Sequence, residues 1–199
     1  MKIIGGKYKG RNFYMPAGIS PTQNIVRKAV FDILGHDLSG LNFLDLFAGS
    51  GAVGLEAISR GADRTVFVEK DTRCSEIIGD NIAVLGIMRE LEEKRSLYEL
   101  VNADGFASIK MFFRQNVKFD VVFADPPYGR GLAKKTLKTL CSYDILHPNS
   151  LLFIQHEIKE CLPDFQGRFI LFRRKRYGMS MLSLYNISNK SDMCLEEVN

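Results

Sequence analysis

LDLFAGSGAVGLEA, Leu44 to Ala57, is the stretch that decides how the rest of the chain is read. It opens as an apolar run with strand character and closes with apolar residues at helical spacing. The turn between them holds Gly49, Gly51 and Gly54 in the pattern GxGxxG. Without a Cβ, glycine lets such a turn tighten and a ligand approach its backbone. Eighteen positions beyond Gly51, Glu69 ends the next apolar run. That spacing suits a carboxylate gripping both hydroxyls of an adenosine ribose. Phe47, Ala48 and Ser50 of the loop, and Lys70 beside Glu69, belong to the same expected pocket.

Two ligands fit this pattern. One is a dinucleotide with its pyrophosphate on the helix N-terminus; the other is S-adenosylmethionine, which carries no phosphate. Asp45, just before the loop, would repel a pyrophosphate but can accept from water or from the ammonium of a methionine moiety. A nicotinamide dehydrogenase also needs a substrate-binding domain, and no part of the chain is large enough to be one. S-adenosylmethionine is therefore the expected cofactor; a bare strand–helix turn is disfavoured by Glu69. Ala103 and Asp104, after the run Tyr98–Val101, suit either the edge of an adenine or a simple helix cap.

Outward from the loop, strand-like runs (Phe43–Phe47, Thr65–Glu69, Tyr98–Val101, Phe119–Ala124, Leu151–His156) alternate with helix-like stretches. The latter are Ala52–Arg60, Thr72–Leu85, Phe106–Phe113 and Leu132–Cys141. Such alternation predicts an α/β fold: a doubly wound, mostly parallel sheet of seven strands, Rossmann-like. Phe169–Phe172 and Met181–Tyr185 complete the edge as a hairpin flanking a basic cluster. Residues 1–40 read as a separate extension. It consists of a hairpin broken at Gly5-Gly6 and a helix over "SPTQNIVRKAVFDILG", with Thr22 as N-cap and Gly35 as stop. The expected division is 1–40 extension, 41–187 catalytic domain and 188–199 frayed tail, with 88–99 a charge-dense solvated segment.

The fourth run ends "FDVVFADPPYG", Phe119 to Gly129. In a doubly wound sheet, ligands bind beyond the carboxyl ends of the strands, near the switch point. Asp125 is delivered to that edge. Pro126 and Pro127 lack N–H donors and have fixed φ, so they form a rigid arch with outward carbonyls. Tyr128 adds a flat face. The set suits a planar base bearing an NH₂ group: the carboxylate takes one N–H, a proline carbonyl the other, and the ring stacks. Guanine, adenine and cytosine all satisfy it.

The composition, 46% hydrophobic and 25% charged over 199 residues, is that of an ordinary globular protein. No apolar run approaches the roughly 18 residues of a membrane span. The start MKIIGGKYKGR lacks a signal-peptide core, so a cytoplasmic protein is expected. Cys74, Cys141, Cys161 and Cys194 form no CxxC pair, and His36, His147 and His156 have no ligand spacing, so no metal is expected. Net charge is only +4, but Lys2, Lys7, Lys9, Arg11, Arg27 and Lys28 precede the first acid, Asp32. A second cluster, RFILFRRKR (Arg168–Arg176), contains Arg174 and Arg176. Two basic patches suit a phosphate-bearing partner; each alone fits a solvated face equally well.

On these motifs the chain resembles the RsmD-type family of bacterial 16S ribosomal RNA guanine-N2 methyltransferases. The likeness runs through "KIIGGKYKGR", "PTQNIVRKAVFDIL", "FLDLFAGSGAVGLEAISRGA", "VFVEKD", "DPPYG" and "RYGMSMLSLY". It departs from the family pattern at Ser20, at Asn24-Ile25 and in a longer 86–98 connection. The resemblance implies S-adenosylmethionine as cofactor, and a guanine of 16S rRNA in the small ribosomal subunit or its assembly intermediate as target. Asp125, Pro126, Pro127 and Tyr128 would then hold the base. Asp45, Phe47, Ala48, Gly49, Ser50, Gly51, Glu69, Lys70, Ala103 and Asp104 would hold the cofactor. Lys2, Lys7, Lys9, Arg11, Arg27, Arg174 and Arg176 would meet RNA, and the protein would act as a monomer. The alternatives are a DNA or RNA adenine/cytosine amino-methyltransferase and a non-catalytic ribosome-assembly module.

Overall fold

The computed structural model describes residues 1–15, 24–87 and 96–187. The chain divides into two compact units, Met1–Ser108 and a second beginning at Ile109.

The first unit holds α1 (Asn24–Leu34), β1 (Asn42–Leu46), α2 (Ala52–Ser59), β2 (Arg64–Glu69), α3 (Thr72–Leu85) and β3 (Tyr98–Asn102). The three strands pair in parallel, with Leu44 opposite Val66 and Val66 opposite Glu99. All eight residues of α2 are buried, which suits a helix that is apolar apart from Glu56 and Ser59. α3 has the bounds its sequence predicts. Asp71 caps it by accepting from the Arg73 amide, and Gly86 ends it at φ 67 in the left-handed region.

The N-terminal segment is part of this unit's core. Ile3, Tyr8 and Phe13 pack with Leu55, Ile58, Ile78, Ile82 and Leu85. Its expected hairpin is reduced to one antiparallel bridge, Lys2 opposite Asn12. The intervening turn is occupied instead with α2: Lys7 N donates to the Ser59 carbonyl (2.6 Å) and Tyr8 N to Ser59 Oγ (2.9 Å). Gly6, at φ 71, comes so close that a Cβ would lie 1.7 Å from that carbonyl oxygen. The turn thus satisfies an otherwise orphaned carbonyl at the helix C-terminus.

The helix α4 (Gly105–Arg114) carries the division between the units. The second unit continues with β4 (Phe119–Ala124), α5 (Leu132–Ser142), β5 (Leu146–Glu157), β6 (Phe165–Gln166), β7 (Phe169–Tyr177) and β8 (Ser180–Ile187). β4 and β5 are parallel; β5–β8, β8–β7 and β7–β6 are antiparallel.

The described strands number eight, against seven expected; the two-residue β6 is the addition. β5 starts at Leu146, earlier than its apolar run, because Pro148 and Asn149 (φ 65) sit within an irregular pairing with β4. The basic cluster is itself a strand. Its backbone pairs with β8 while its charged side chains stay in water. The expected cap Thr22 lies outside the described residues, as do most of the 88–99 segment and the 188–199 tail. Tyr98 and Glu99 belong to β3.

Candidate active site

The loop after β1 is closed by its own backbone: Ala48 N donates to Val68 O (2.9 Å) and Gly51 N to Ala48 O (2.8 Å). Phe47 sits at φ 67, a left-handed conformation costing a non-glycine residue about 1–3 kcal/mol. Its ring meets Phe106 edge-on at 5.6 Å and lies over Gly105. The three glycines do different work. A Cβ on Gly54 would come 2.2 Å from the Phe67 ring, so Gly54 permits α2 to pack on β2. Gly51 (φ 75) makes the turn beneath Phe67 and Ile78. At Gly49 (φ 56) a Cβ would meet nothing within 4 Å. Gly49 alone faces open space, as a ligand needs.

Glu69 is tied to that same residue. Its Oε2 accepts from Gly49 N and its Oε1 from Asp71 N, each at 2.8 Å. A carboxylate offers about four lone-pair positions, so roughly two stay available for ribose hydroxyls. The donor set therefore fits an adenosine-bearing cofactor. Asp104 does what a helix cap does: its Oδ1 accepts from Phe106 N (3.0 Å) and Ala107 N (3.1 Å). Ala103 N donates to Glu69 O at 3.1 Å, which sets the two acids side by side on adjacent strand ends. Lys70 is exposed.

Asp45 turns inward. It is 2% exposed, and its Oδ2 accepts from Gly54 N at 2.8 Å. That oxygen holds the first turn of α2. Ser50 is also buried, and its carbonyl accepts from Asn81 Nδ2 at 3.2 Å. Asn81, which no sequence pattern singled out, is fully buried and also brackets Tyr14. It accepts from Tyr14 N (2.6 Å) and donates to Tyr14 O (3.0 Å). One amide side chain thereby joins the glycine loop to the N-terminal segment.

In the second unit, β4 ends where its sequence predicts, delivering Asp125 half-buried, Pro126 buried, and Pro127 and Tyr128 exposed. Tyr128 is 41% exposed, yet its hydroxyl is held. Gln155 Nε2 donates to it at 3.0 Å, and it shares a hydrogen bond with Ser180 Oγ at 2.9 Å in which either oxygen can donate. Gln155 and Ser180 come from β5 and β8 and carried no sequence signal. Burial, followed by the Asp125 charge, pushes the phenol pKa up, so it stays protonated at neutral pH.

The cations separate into two groups. Lys2, Lys7, Lys9 and Arg11 are exposed. Lys7 and Arg11 each lie 5.5 Å from the Tyr8 ring centre, and Arg11 Nη1 donates to Leu85 O at 2.7 Å. Arg27 is not available to RNA. It is fully buried, its Nη2 donates to Lys2 O (2.6 Å) and Asn24 Oδ1 (2.9 Å), and its Nε lies 3.8 Å from Glu56 Oε2. On β7, Arg174 donates to Leu162 O (2.7 Å) and Asp164 Oδ1 (3.2 Å), while Arg176 Nε donates to Gly178 O (2.9 Å).

Among the described residues no group of three or more His, Cys, Asp or Glu side chains could hold a metal ion. None of their helices is long and apolar enough to cross a membrane.

An open glycine loop answered by an acid on the next strand is the cofactor turn of the Rossmann-like α/β methyltransferases, doubly wound and mostly parallel, and that is the class of this fold. The solved structure of yhhF from Escherichia coli shares this fold at a TM-score of 0.78. It is 31% identical and covers 94% of this chain and 98% of its own. Ribosomal RNA small subunit methyltransferase D of Escherichia coli strain K12 is 32% identical over 187 residues, 93% of this chain and 89% of its own length. The Haemophilus influenzae protein of the same name is 30% identical over 93% of both. The chain belongs to the RsmD family, described as Conserved hypothetical protein 95, whose pattern spans residues 1–186.

Proposed function

We propose that the protein methylates the exocyclic N2 amine of a guanine in 16S rRNA, with S-adenosylmethionine as donor. The rRNA assignment rests on the family and on the names of its relatives. The chemistry rests on one observation: Asp125 beside an exposed Tyr128 whose hydroxyl is clamped.

When bound, S-adenosylmethionine supplies a methyl group activated on a sulfonium. Glu69 and the open backbone at Gly49 would hold its adenosine part; Phe47, Ala48, Lys70, Ala103 and the free oxygen of Asp104 complete that pocket. An exocyclic amine is a poor nucleophile because its lone pair is delocalised into the ring. Asp125 would accept one N–H and the Pro126 carbonyl the other, letting the nitrogen pyramidalise, while Tyr128 stacks on the base. Pro127 keeps the arch rigid. Such alignment is worth up to ~7–11 kcal/mol. Asp125 also stabilises the positive charge that develops on nitrogen and takes up, directly or through water, the proton released.

The reading extends to the remaining expectations: residues 1–40 as RNA contact through Lys2, Lys7, Lys9 and Arg11, residues 41–187 as the catalytic domain, a metal-free monomer, and a cytoplasmic setting. A target guanine that is stacked would have to be flipped out at a cost of a few kcal/mol.

The test is transfer of labelled methyl from S-adenosylmethionine to unmethylated small subunits, with nucleoside analysis. N2-methylguanosine is expected from wild type and at least ~100-fold less from Asp125→Ala, with cofactor binding retained. No transfer by a wild-type protein that binds cofactor overturns the substrate, and methyladenosine or methylcytosine as product overturns the base.

A further inference from the structure

We propose that β7 seats the RNA strand flanking the target base. In this seat Arg173 and Lys175 meet phosphates and Phe172 stacks on one unpaired base. This rests on the function proposed above and adds residues that its basic clusters did not single out.

The argument is one of faces. Cross-strand partners share a sheet face, and successive residues alternate. Gln155 pairs with Leu182 and Leu182 with Lys175; Glu157 pairs with Ser180 and Ser180 with Tyr177; Phe153 pairs with Leu184 and Leu184 with Arg173. Arg173, Lys175 and Tyr177 therefore stand on the face of Gln155 and Ser180, the two residues that hold the Tyr128 hydroxyl. Lys175 Nζ over the Tyr177 ring, 5.4 Å from its centre, agrees with that parity. Two strand spacings, roughly 10 Å, separate Lys175 from Gln155. Arg174 and Arg176 belong to the opposite face with Ser183 and His156.

Three further features fit an RNA strand. β6 pairs only with Phe169 and Ile170, so among the described strands Arg173–Tyr177 has β8 alone beside it. The register slips between Leu171 and Arg173, making Phe172 the extra residue of a bulge, 67% exposed. Bulges re-aim side chains in this way. Among the described residues no carboxylate lies within ion-pair distance of Arg173 or Lys175. Paired cations beside an exposed aromatic ring are the elements of a single-strand platform.

The experiment measures binding of protein-free 16S rRNA across a KCl series. Each lost phosphate contact removes about 0.7 from the slope of log K against log salt. Arg173→Gln/Lys175→Gln should therefore flatten it by about 1.4. Phe172→Ala should weaken binding by roughly ten-fold with the slope unchanged. Arg176→Gln, on the other face, should change neither. S-adenosylhomocysteine binding, which reports an intact fold, should be that of wild type throughout. A wild-type slope in the double variant, or an equal loss in Arg176→Gln, overturns the seat. So does a defect seen only with whole subunits, which would assign the strand to a ribosomal protein. The two proposals fail separately. An rRNA slope that responds as expected, in a protein that transfers no methyl, keeps the seat and sinks the function. Unchanged KM and rate in the double variant do the reverse.

Discussion

Glu56→Gln should be among the most damaging conservative changes in the chain, although Glu56 touches no candidate ligand. The carboxylate is fully buried and serves two guanidinium groups, Arg60 at 3.0 Å and Arg27 at 3.8 Å, as well as the Ile4 amide at 2.9 Å. Burial depresses the Arg27 pKa, the Glu56 charge opposes that, and Arg60 adds to it. Neutralising Glu56 leaves two buried cations facing one another with no anion. Removing one partner of a buried pair costs about 3–5 kcal/mol. For a chain of this size each kcal/mol moves Tm by about 2–4 °C, so a fall of roughly 6–20 °C is expected. Thermal unfolding followed by circular dichroism measures it. Removing all three charges, Glu56→Leu with Arg27→Met and Arg60→Met, should recover part of the loss, since well-packed apolar replacements of buried ionic clusters are often near neutral. A Tm for Glu56→Gln within about 2 °C of wild type would refute this account of the cluster. It would also reopen Arg27 as an RNA ligand.

Two glycine substitutions should have opposite signs. Gly54→Ala forces a methyl against the fully buried Phe67 and should lose about 1–3 kcal/mol, more than the roughly 1 kcal/mol helix-propensity gain. Gly79→Ala, inside α3 where a Cβ meets nothing within 4 Å, should gain roughly 0.5–1 kcal/mol; urea midpoints decide both. Glu69→Gln should weaken S-adenosylhomocysteine binding by about 10–100-fold in calorimetry, through lost charge-assisted hydrogen bonds. Burial lowers the His156 pKa. The unfolded chain therefore takes up the proton first as pH falls. The stability His156 contributes is complete above its unfolded pKa near 6.5 and declines below it. His156→Gln should flatten the pH dependence of the urea midpoint between pH 7 and 5.

What could be read from residues alone was what one residue or one local period determines. Asp71 and Gly86 mark the ends of α3 by local hydrogen bonding and positive φ, and α3 has the expected bounds. β4 stops at Ala124, one residue short of Pro126. Glu69 and the glycine loop were legible because a fixed spacing serves a fixed ligand. Pairing decides the rest. Arg27 looks like any other basic residue until Glu56, far along the chain, lies beside it. Asn81, Gln155 and Ser180 act through partners 67, 27 and 52 positions away, and no local pattern encodes such partners. The charges of β7 hid a strand because an open edge can leave them in water.

The turn that docks on Ser59 has a consequence for the order in which the molecule is completed. Tyr8 waits for Ser59, Tyr14 for Asn81, and Arg11 for Leu85, which lies 74 positions later. At synthesis rates of about 5–20 residues per second, the last of these contacts waits roughly 4–15 s. During that interval Ile3, Tyr8 and Phe13 have no core to enter, and the cations around them are borne by a nascent chain held next to ribosomal RNA. Asn81 holds Tyr14 and the Ser50 carbonyl together, so the cofactor loop gains this brace only when residues made 67 positions earlier return to it. Acquisition of cofactor binding would then time the return of the segment that holds Tyr8 and Tyr14.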